Sequence, residues 1–597
     1  MVKKELTPLL RQYLEIKSEY HECLIFFRLG DFYELFFEDA EVAAKELDIT
    51  LTKRGYLDGK EIPMCGVPFF QGEIYLARLL KKGFKVAICE QMESPEESKK
   101  RGHKEIIKRK VVRVATPGTL TEEKELETLE NNFLASVISK EDIFSFAWID
   151  ISTGEVHLKE CKNKKTALSR LQEMMPSELI YNEKYLDRSF LESLQKNLPT
   201  TLTLVSKDYY DYKDNYKEII NAFSNNKTFS VQRLSSLEVE VLGSLIKYIS
   251  YTQDGKIPPI KIPYKEEEKK LLEIDISSKR NLEIINTLSG ERKGSLFYAV
   301  NSTKTSAGSR TLINDLLFPL ADLEKIIRRQ DLVEFFFENY NFLKKTFAEK
   351  LSKIPDFSRS IIRLSLNRGG PRDLSNILRG LEKAMELIDL ISDDKFIKLQ
   401  SDTLSKLVQP IIKNKNIKDI KKSLFLALED KLPLHARDGG FIKRGYQKEI
   451  DLIRDYRDNS KKIILDIEQK EKKLTQVNTL RIKYNNFLGY FIEVSPTNQR
   501  YIKDNPEKYI HRQTLKNSIR YTSRDLIDLS EKIINSNADL LEKEMNLYKN
   551  LVNLVLKNSQ IILLISDIVA RLDVSYSWAI YAKNSKSVKP IITEGNE

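Results

Sequence analysis

From about Leu234 almost to its C-terminus the chain repeats one pattern, long amphipathic stretches at helical spacing with few glycines, and this obliges the second half of the molecule to be mainly α. The first half is written differently. Leu24-Ile-Phe-Phe is an apolar strand run, and Tyr33 to Leu47 carries Leu35, Phe36, Ala40, Ala43 and Leu47 at helical spacing, which predicts a compact α/β unit over residues 1–117. Between Asn132 and about Ser230 a second α/β unit is expected. There Phe144-Ser-Phe-Ala-Trp-Ile-Asp-Ile-Ser-Thr-Gly-Glu-Val spells strand, Ser-Thr-Gly turn and strand, and residues 164–175 have a helical pattern. At 597 residues the chain exceeds what one hydrophobic core can serve, so the segments belong to separate domains.

One stretch of the helical half stands apart. Tyr446, Ile450, Ile453, Ser460, Ile464, Ile467 and Leu474 fall near the three-four spacing of a coiled-coil seam and predict a long hairpin arm. Its outer faces are expected to carry Lys443, Arg444, Lys448, Arg454, Arg457, Lys461, Lys462, Lys470, Lys472 and Lys473. The arm runs into a small sheet, in which Leu480, Ile482 and Tyr484 alternate with Arg481 and Lys483, and Tyr490, Ile492 and Val494 follow after a turn. A helix from about Arg512 is expected to return the chain to the helical body.

Lys and Arg outnumber Asp and Glu by 98 to 87, and a net charge of +11 over this length makes the location of the excess more informative than its size. Besides the arm, the excess gathers in Lys99, Lys100, Arg101, Lys104, Lys108, Arg109, Lys110 and Arg113, at the end of the first unit. Either cluster could track phosphates, and either could be a solvated face whose charge is offset by neighbours such as Glu468 and Glu471. Cys23, Cys65, Cys89 and Cys161 form no CxxC pair, which argues against a zinc ribbon or disulfide framework and suits a reducing cytosol. The five histidines are too scattered to ligate a metal, and none is expected. The N-terminus lacks the apolar stretch of a signal peptide, and the apolar run at residues 561–565 is too short to span a bilayer. Neither Gly55-Tyr-Leu-Asp-Gly-Lys-Glu nor Gly290-Glu-Arg-Lys-Gly-Ser meets the GxxxxGK[ST] pattern of a phosphate loop, so no nucleotide site is expected. Asp150 is the one strand carboxylate at a place suggestive of nuclease chemistry, and a lone carboxylate cannot hold two metals.

Arg28-Leu-Gly-Asp-Phe-Tyr-Glu-Leu-Phe has two readings that spacing does not separate. In one, Gly30 makes a turn, Asp31 caps a helix and Glu34 completes a capping box. In the other, Phe32 is an exposed wedge for a base stack and Glu34 offers an acceptor to a base edge.

Thr7-Pro-Leu-Leu-Arg-Gln-Tyr-Leu, the GDFYELF run, Leu51-Thr-Lys-Arg-Gly, Ile62-Pro-Met-Cys-Gly-Val-Pro, Val86-Ala-Ile-Cys-Glu-Gln and Val111-Val-Arg-Val-Ala-Thr-Pro-Gly-Thr, in this order, resemble the mismatch-binding domain of bacterial MutS proteins. The resemblance continues through Asp150-Ile-Ser-Thr-Gly, Arg280-Asn-Leu-Glu, Gly308-Ser-Arg-Thr-Leu, Gly370-Pro-Arg-Asp-Leu and Arg512-Gln-Thr-Leu-Lys-Asn, and covers essentially the whole chain. It implies a multidomain α/β plus mainly α architecture. The expected parts are a mismatch-binding domain at 1–117, an RNase H-like connector at 125–232, a lever core at 233–440 and 509–582, a coiled-coil clamp at 441–508, and the start of an ATPase domain at 583–597. It also implies that Phe32 inserts beside a mispaired base and Glu34 hydrogen-bonds to it, with Arg54, Met64 and Arg113 as supporting contacts. Clamp cations, Lys443, Arg444, Lys461, Lys462, Lys472 and Lys473 among them, would grip the backbone.

The partners implied are double-stranded DNA with mispairs or small loops, a second copy of the chain and a downstream MutL-type protein. ATP and Mg²⁺ are implied for the full-length family, and no cofactor or catalysis is expected of these residues. The chain is expected to stop before the Walker A loop, the signature loop and the dimerising C-terminus, which would impair dimer formation. A bacterial cytoplasmic, nucleoid-associated location follows. Phe69-Phe70 stands where the family usually has a Tyr-His pair, which removes any polar role of that histidine. The competing expectation is a structural remnant that binds DNA without mismatch preference.

Overall fold

The computed structural model describes residues 7–57, 60–93, 106–121, 131–224, 226, 229–266, 270–392, 402–485, 488–515 and 517–595. They form two compact units, one of residues 1–369, 376–418 and 555–597, the other of residues 370–375 and 419–554.

The first unit opens with helix α1 (Pro8–Glu19) and a six-stranded sheet of order β3-β4-β2-β1-β5-β6. Its strands are β1 (Cys23–Leu29), β2 (Phe32–Phe36), β3 (Thr52–Leu57), β4 (Lys60–Pro68), β5 (Lys85–Gln91) and β6 (Arg109–Ala115). Alternation along each strand gives the sheet two cores. Phe26, Tyr33, Leu35, Val67 and Val86 face helices α2 (Phe37–Leu47) and α3 (Gly72–Lys81), whereas Ile25, Phe27, Phe36, Ala87 and Val111 face Leu10 and Tyr13 of α1. The buried carboxylate of Asp39 fastens α1 by accepting from Tyr13 Oη at 2.8 Å, Lys17 Nζ at 2.8 Å and the Ile25 amide at 3.1 Å.

The helical spacing over Tyr33 to Leu47 misplaces the start of α2. Residues Phe32–Phe36 form a strand, and the helix begins at Phe37. Leu35 and Phe36 suit both periods, and strand pairing with β1 and β4 decides between them. Gly30, in the left-handed region at φ +56°, makes a two-residue hairpin turn, so Asp31 caps no helix and Glu34 completes no capping box.

The second sheet has the order β11-β10-β7-β8-β9-β12, built from β7 (Phe133–Lys140), β8 (Ile143–Asp150), β9 (Glu155–Cys161), β10 (Glu178–Tyr181), β11 (Thr201–Leu204) and β12 (Tyr264–Lys265). The expected strand, turn and strand are β8 and β9, and the helix after them is α4 (Lys164–Met174). This body extends past the expected boundary at 232. Helix α5 (Ser236–Thr252) lies on the sheet, with Ser244 Oγ 2.6 Å from Ser136 Oγ and Tyr248 Oη donating to Glu178 at 2.6 Å, and β12 pairs with β9. Amphipathic periodicity marks α5 as a helix without saying which core it covers.

The rest of the first unit is helical, and among its described residues no single helix is long and apolar enough to cross a membrane. In the second unit, helices α6 (Lys448–Asp458) and α7 (Ser460–Thr475) meet a four-stranded sheet of order β13-β14-β16-β15. The strands are β13 (Arg481–Asn485), β14 (Gly489–Val494), β15 (Tyr509–Thr514) and β16 (Ile519–Ser523), over a core of Leu480, Ile492, Val494, Ile502, Tyr509, Tyr521 and Leu526. The helix expected from Arg512 is instead the β15–β16 hairpin, and the next helix, α8, spans Arg524–Lys557. The sheet therefore runs past the expected clamp boundary at 508. Its outer strand β15 is exposed from Ile510 to Thr514 and so lacks the apolar alternation that would have marked it.

The coiled-coil seam is also shorter than predicted. Ile450 and Ile464 are buried, but Tyr446 and Leu474 are exposed, and buried polar groups of Arg454, Glu468 and Glu471 take positions between. Arg454 is thus a core residue and not an outer-face cation.

Candidate nucleic-acid interface

Phe32, Glu34 and Phe36 alternate onto the sheet face that α1 covers, but α1 does not reach the end of it. Phe36 is buried, its ring 5.1 Å from that of Tyr13, whereas Phe32, at the mouth of the hairpin, is 47% exposed and outside both cores. The hairpin that carries it is braced. The Phe69 amide donates to the Asp31 carbonyl at 2.8 Å, and the Arg28 guanidinium lies 3.2 Å from the centre of the Phe69 ring. Phe70, one residue on, is 79% exposed, so the sheet end presents two uncovered aromatic rings.

Glu34 stands between Phe27 on β1 and Gly66 on β4, and the absence of a side chain at Gly66 leaves it uncovered on that side. Its carboxylate forms an ion pair with Arg54, which lies in the irregular stretch of β3 between Lys53 and Tyr56, beside Gly55 at φ +85°. A second cation, Arg109, is fixed on the same face. It donates to the Arg28 carbonyl at 2.7 Å, Gln12 Oε1 at 3.1 Å and the Ile107 carbonyl at 2.8 Å, and lies 4.9 Å from the Phe27 ring centre. Burial lowers the Arg109 pKa, and the charge of Glu34 is among the influences opposing this.

Two of the expected supporting residues lie elsewhere. Met64 is half-buried opposite Phe36 and packs against the core beneath α1. Arg113 pairs in register with Ile88, on the opposite face, and donates from Nη2 to Glu73 Oε1 at 2.8 Å and Oε2 at 2.9 Å. Its guanidinium is nearly buried and holds α3 to the sheet. Replacing Arg113 by Ala is expected to cost about 1–2 kcal/mol of stability, seen in thermal denaturation, and to leave the ratio of affinities for any two DNA duplexes unchanged.

In the second unit, Lys461, Lys462 and Lys473 are exposed and make no ion pair among the described residues. The other three cations expected of a clamp are engaged internally. Lys472 meets Glu468 at 2.7 Å, Arg444 meets Asp455 at 3.1 Å, and Lys443 donates to the Phe425 carbonyl at 3.2 Å with its ammonium 4.6 Å from the Phe425 ring centre. Burial would raise the Glu468 pKa, but hydrogen bonds from Lys472, the Ile482 amide and Arg481 bring it down to about 2. The sheet adds a ladder that the sequence did not reveal, with Glu493 between Lys483 at 2.6 Å and Arg520 at 3.2 Å. Of the basic run at the end of the first unit, Lys99, Lys100, Arg101 and Lys104 lie outside the described residues.

Asp150 is fully buried, accepting from the Ser152 amide at 2.8 Å, Ser152 Oγ at 2.6 Å and the Asn132 amide at 3.3 Å. Burial raises its pKa, with Arg359 opposing, and it reads as a turn-forming carboxylate rather than a metal ligand. Among the described residues no three His, Cys, Asp or Glu side chains converge as a metal site.

Arg28 and Arg109 were given no role of their own from the sequence, and Phe70 was noted only as half of the Phe69-Phe70 pair that replaces Tyr-His. Arg109 counted only as one charge in a run, and Arg28 only as the first residue of the run that carries Phe32.

Three family descriptions match the chain: MutS domain I over residues 7–124, MutS domain II over 132–261 and MutS domain III over 277–579. Proteins named DNA mismatch repair protein MutS are similar along nearly the whole chain. That of Roseobacter denitrificans is 39% identical over 590 residues, which is 98% of this chain and 66% of the relative. That of Wolbachia pipientis wMel is 36% identical over 618 residues, with coverage of 100% and 72%, and that of Bartonella tribocorum is 38% identical over 593 residues, with coverage of 98% and 64%. The chain thus spans about two thirds of the length of these relatives.

Proposed function

Because the chain belongs to the MutS family of DNA mismatch repair proteins, we propose that it binds duplex DNA and selects mispaired sites, with Phe32 as the wedge and Glu34 as the acceptor beside it. One observation carries this reading: a large aromatic ring held 47% exposed on a braced hairpin, with a carboxylate two residues on along the same sheet face. Inserting a ring between base pairs costs a few kcal/mol of lost stacking at a well-paired step, and less where a mispair has already weakened stacking and pairing. Selection of this kind reads deformability and needs no base code. The carboxylate then accepts from a base edge that the mispair has left without its usual partner.

The exposed cations Lys461, Lys462 and Lys473 are the strongest candidates for backbone contacts that add affinity without sequence preference. Pairing with a second copy, coupling to ATP and Mg²⁺ and hand-over to a MutL-type partner belong to the same proposal. No ATP hydrolysis is assigned to the residues present, since neither glycine-lysine arrangement fits a phosphate loop.

The test is the affinity of the purified chain for a duplex with one G·T mispair against its fully paired counterpart, at two salt concentrations. Tighter binding to the mispair at both salts supports the reading, and equal binding that falls steeply with salt overturns it in favour of a nonspecific binder. Exchanging Lys461, Lys462 and Lys473 together for Gln is expected to flatten the log–log salt dependence by about 0.9 for each phosphate that is no longer neutralised. The ratio between the two duplexes should not change.

A further inference from the structure

On the reading of Phe32 and Glu34 just given, we propose that Arg54 is the positioning residue of the site: it offsets the charge of Glu34 and fixes its carboxylate, so that an acidic group can approach a polyanion. The sequence alone made Arg54 a supporting contact to the groove or backbone. The structure gives its guanidinium a different partner, since one Nη of Arg54 donates to Oε2 of Glu34. This is a long cationic side chain reaching across the sheet, from the irregular part of β3 past β4, to a strand that is not its neighbour. The Glu34 side chain is 16% exposed, and that of Arg54 is 46% exposed, so the pair sits at the rim of the open face with the cation outermost.

The chemistry follows from what a carboxylate can accept. Its two oxygens offer about four lone-pair sites, so a guanidinium on Oε2 leaves Oε1 able to accept a base N–H. Without that guanidinium the carboxylate presents a less fully offset negative charge to the phosphates, an unfavourable interaction with every duplex. Arg109 does not substitute for Arg54. Its Nε and Nη1 donate to the Arg28 and Ile107 carbonyls and Gln12 and its guanidinium is held beside the Phe27 ring, so it acts on Glu34 through its charge, at longer range. Arg54, hydrogen-bonded to Glu34 and with its side chain 46% exposed, can follow the carboxylate as DNA arrives.

A double-mutant cycle tests this in the full chain. Arg54→Ala is expected to weaken binding to both the G·T and the paired duplex by roughly tenfold in the parent background, and by less than about twofold in Glu34→Gln, where no charge remains to offset. Arg54→Lys, which keeps the charge and loses the fork, should retain paired-duplex affinity and lose part of the G·T preference. Equal losses in the two backgrounds, with the salt slope reduced by about one, would make Arg54 a phosphate contact and overturn the proposal. Phe32→Ala, measured beside them, separates this outcome from failure of the wedge reading. If Phe32→Ala leaves the G·T preference unchanged, the functional reading falls, and if it removes the preference while the cycle shows no coupling, only the role of Arg54 falls.

Discussion

Phe32→Ala is expected to remove nearly all discrimination between a mispaired and a fully paired duplex, by about tenfold or more, while the melting temperature stays within a degree or so of the parent. Both halves of this result come from where the ring sits. It belongs to neither core of the first sheet and is 47% exposed, so its truncation opens no cavity and unsatisfies no polar group. A wedge, in contrast, is the part of the site whose cost depends on how easily a base step opens. Removing it equalises the duplexes by lowering the affinity for the mispair, and the backbone contacts that serve both remain. Phe36→Ala is the control on the same strand and the same face. That ring is fully buried against Tyr13 and Phe27, and its loss is expected to cost about 3–5 kcal/mol of stability. Equilibrium binding by fluorescence anisotropy and a thermal melt of each variant separate the two effects. A Phe32→Ala chain that still prefers G·T would mean that the exposed ring is not the reader.

How much of this was visible in the sequence depended on which side chains a local pattern can speak for. Leu24-Ile-Phe-Phe announced its strand as a continuous apolar run buried on both faces, and the run from Phe144 to Val156 did so by two apolar-rich strands parted by the Ser-Thr-Gly turn. The GDFYELF run did not announce its own, since Leu35 and Phe36 fit a helix as well as a strand, and only pairing with β1 and β4 settles the matter. That misassignment bears on function. Read as a helix start, Asp31 and Glu34 have local capping work, and read as a hairpin they are free of it. The resemblance named Phe32 and Glu34, yet could not tell that Arg113 faces the other way onto Glu73, or that Met64 lies in the core under α1. Strand parity decides both, and a one-residue irregularity in β5–β6 pairing shifts the parity at Arg113. Charge patterning counted Arg454 and Lys461 alike, although one is buried on a carboxylate and the other is exposed. That distinction depends on a partner 90 residues away in the sequence.

That partner, Glu544, is the site of an expected loss of stability as large as that of Phe36→Ala. Its carboxylate is fully buried, with Oε1 accepting from Arg454 Nη2 at 2.6 Å and Oε2 accepting from the Gly440 amide at 2.6 Å, while Arg454 also donates to the Ile442 carbonyl at 2.6 Å. One acidic group on α8 thus ties α6 to the turn before it, where Gly439 and Gly440 have φ of +66° and +75° and a larger residue would be strained. Glu544→Ala leaves the buried Arg454 guanidinium without its nearer counter-charge, Asp451 lying farther off at 3.7 Å, and leaves the Gly440 amide without its acceptor, and is expected to destabilise the second unit by about 3–5 kcal/mol. Adding Arg454→Met removes the stranded charge and should restore a large part of the loss, but not all of it, because the Gly440 amide remains unsatisfied. Urea denaturation followed by hydrogen exchange at residues 440–455 measures both steps. An unchanged midpoint in Glu544→Ala would show that the pair is dispensable, whereas loss in the single variant and recovery in the double one would identify it as the joint holding the start of α6. Lys461, Lys462 and Lys473 all lie on the helix that follows, so loosening this joint should also weaken binding to both duplexes equally, most at low salt.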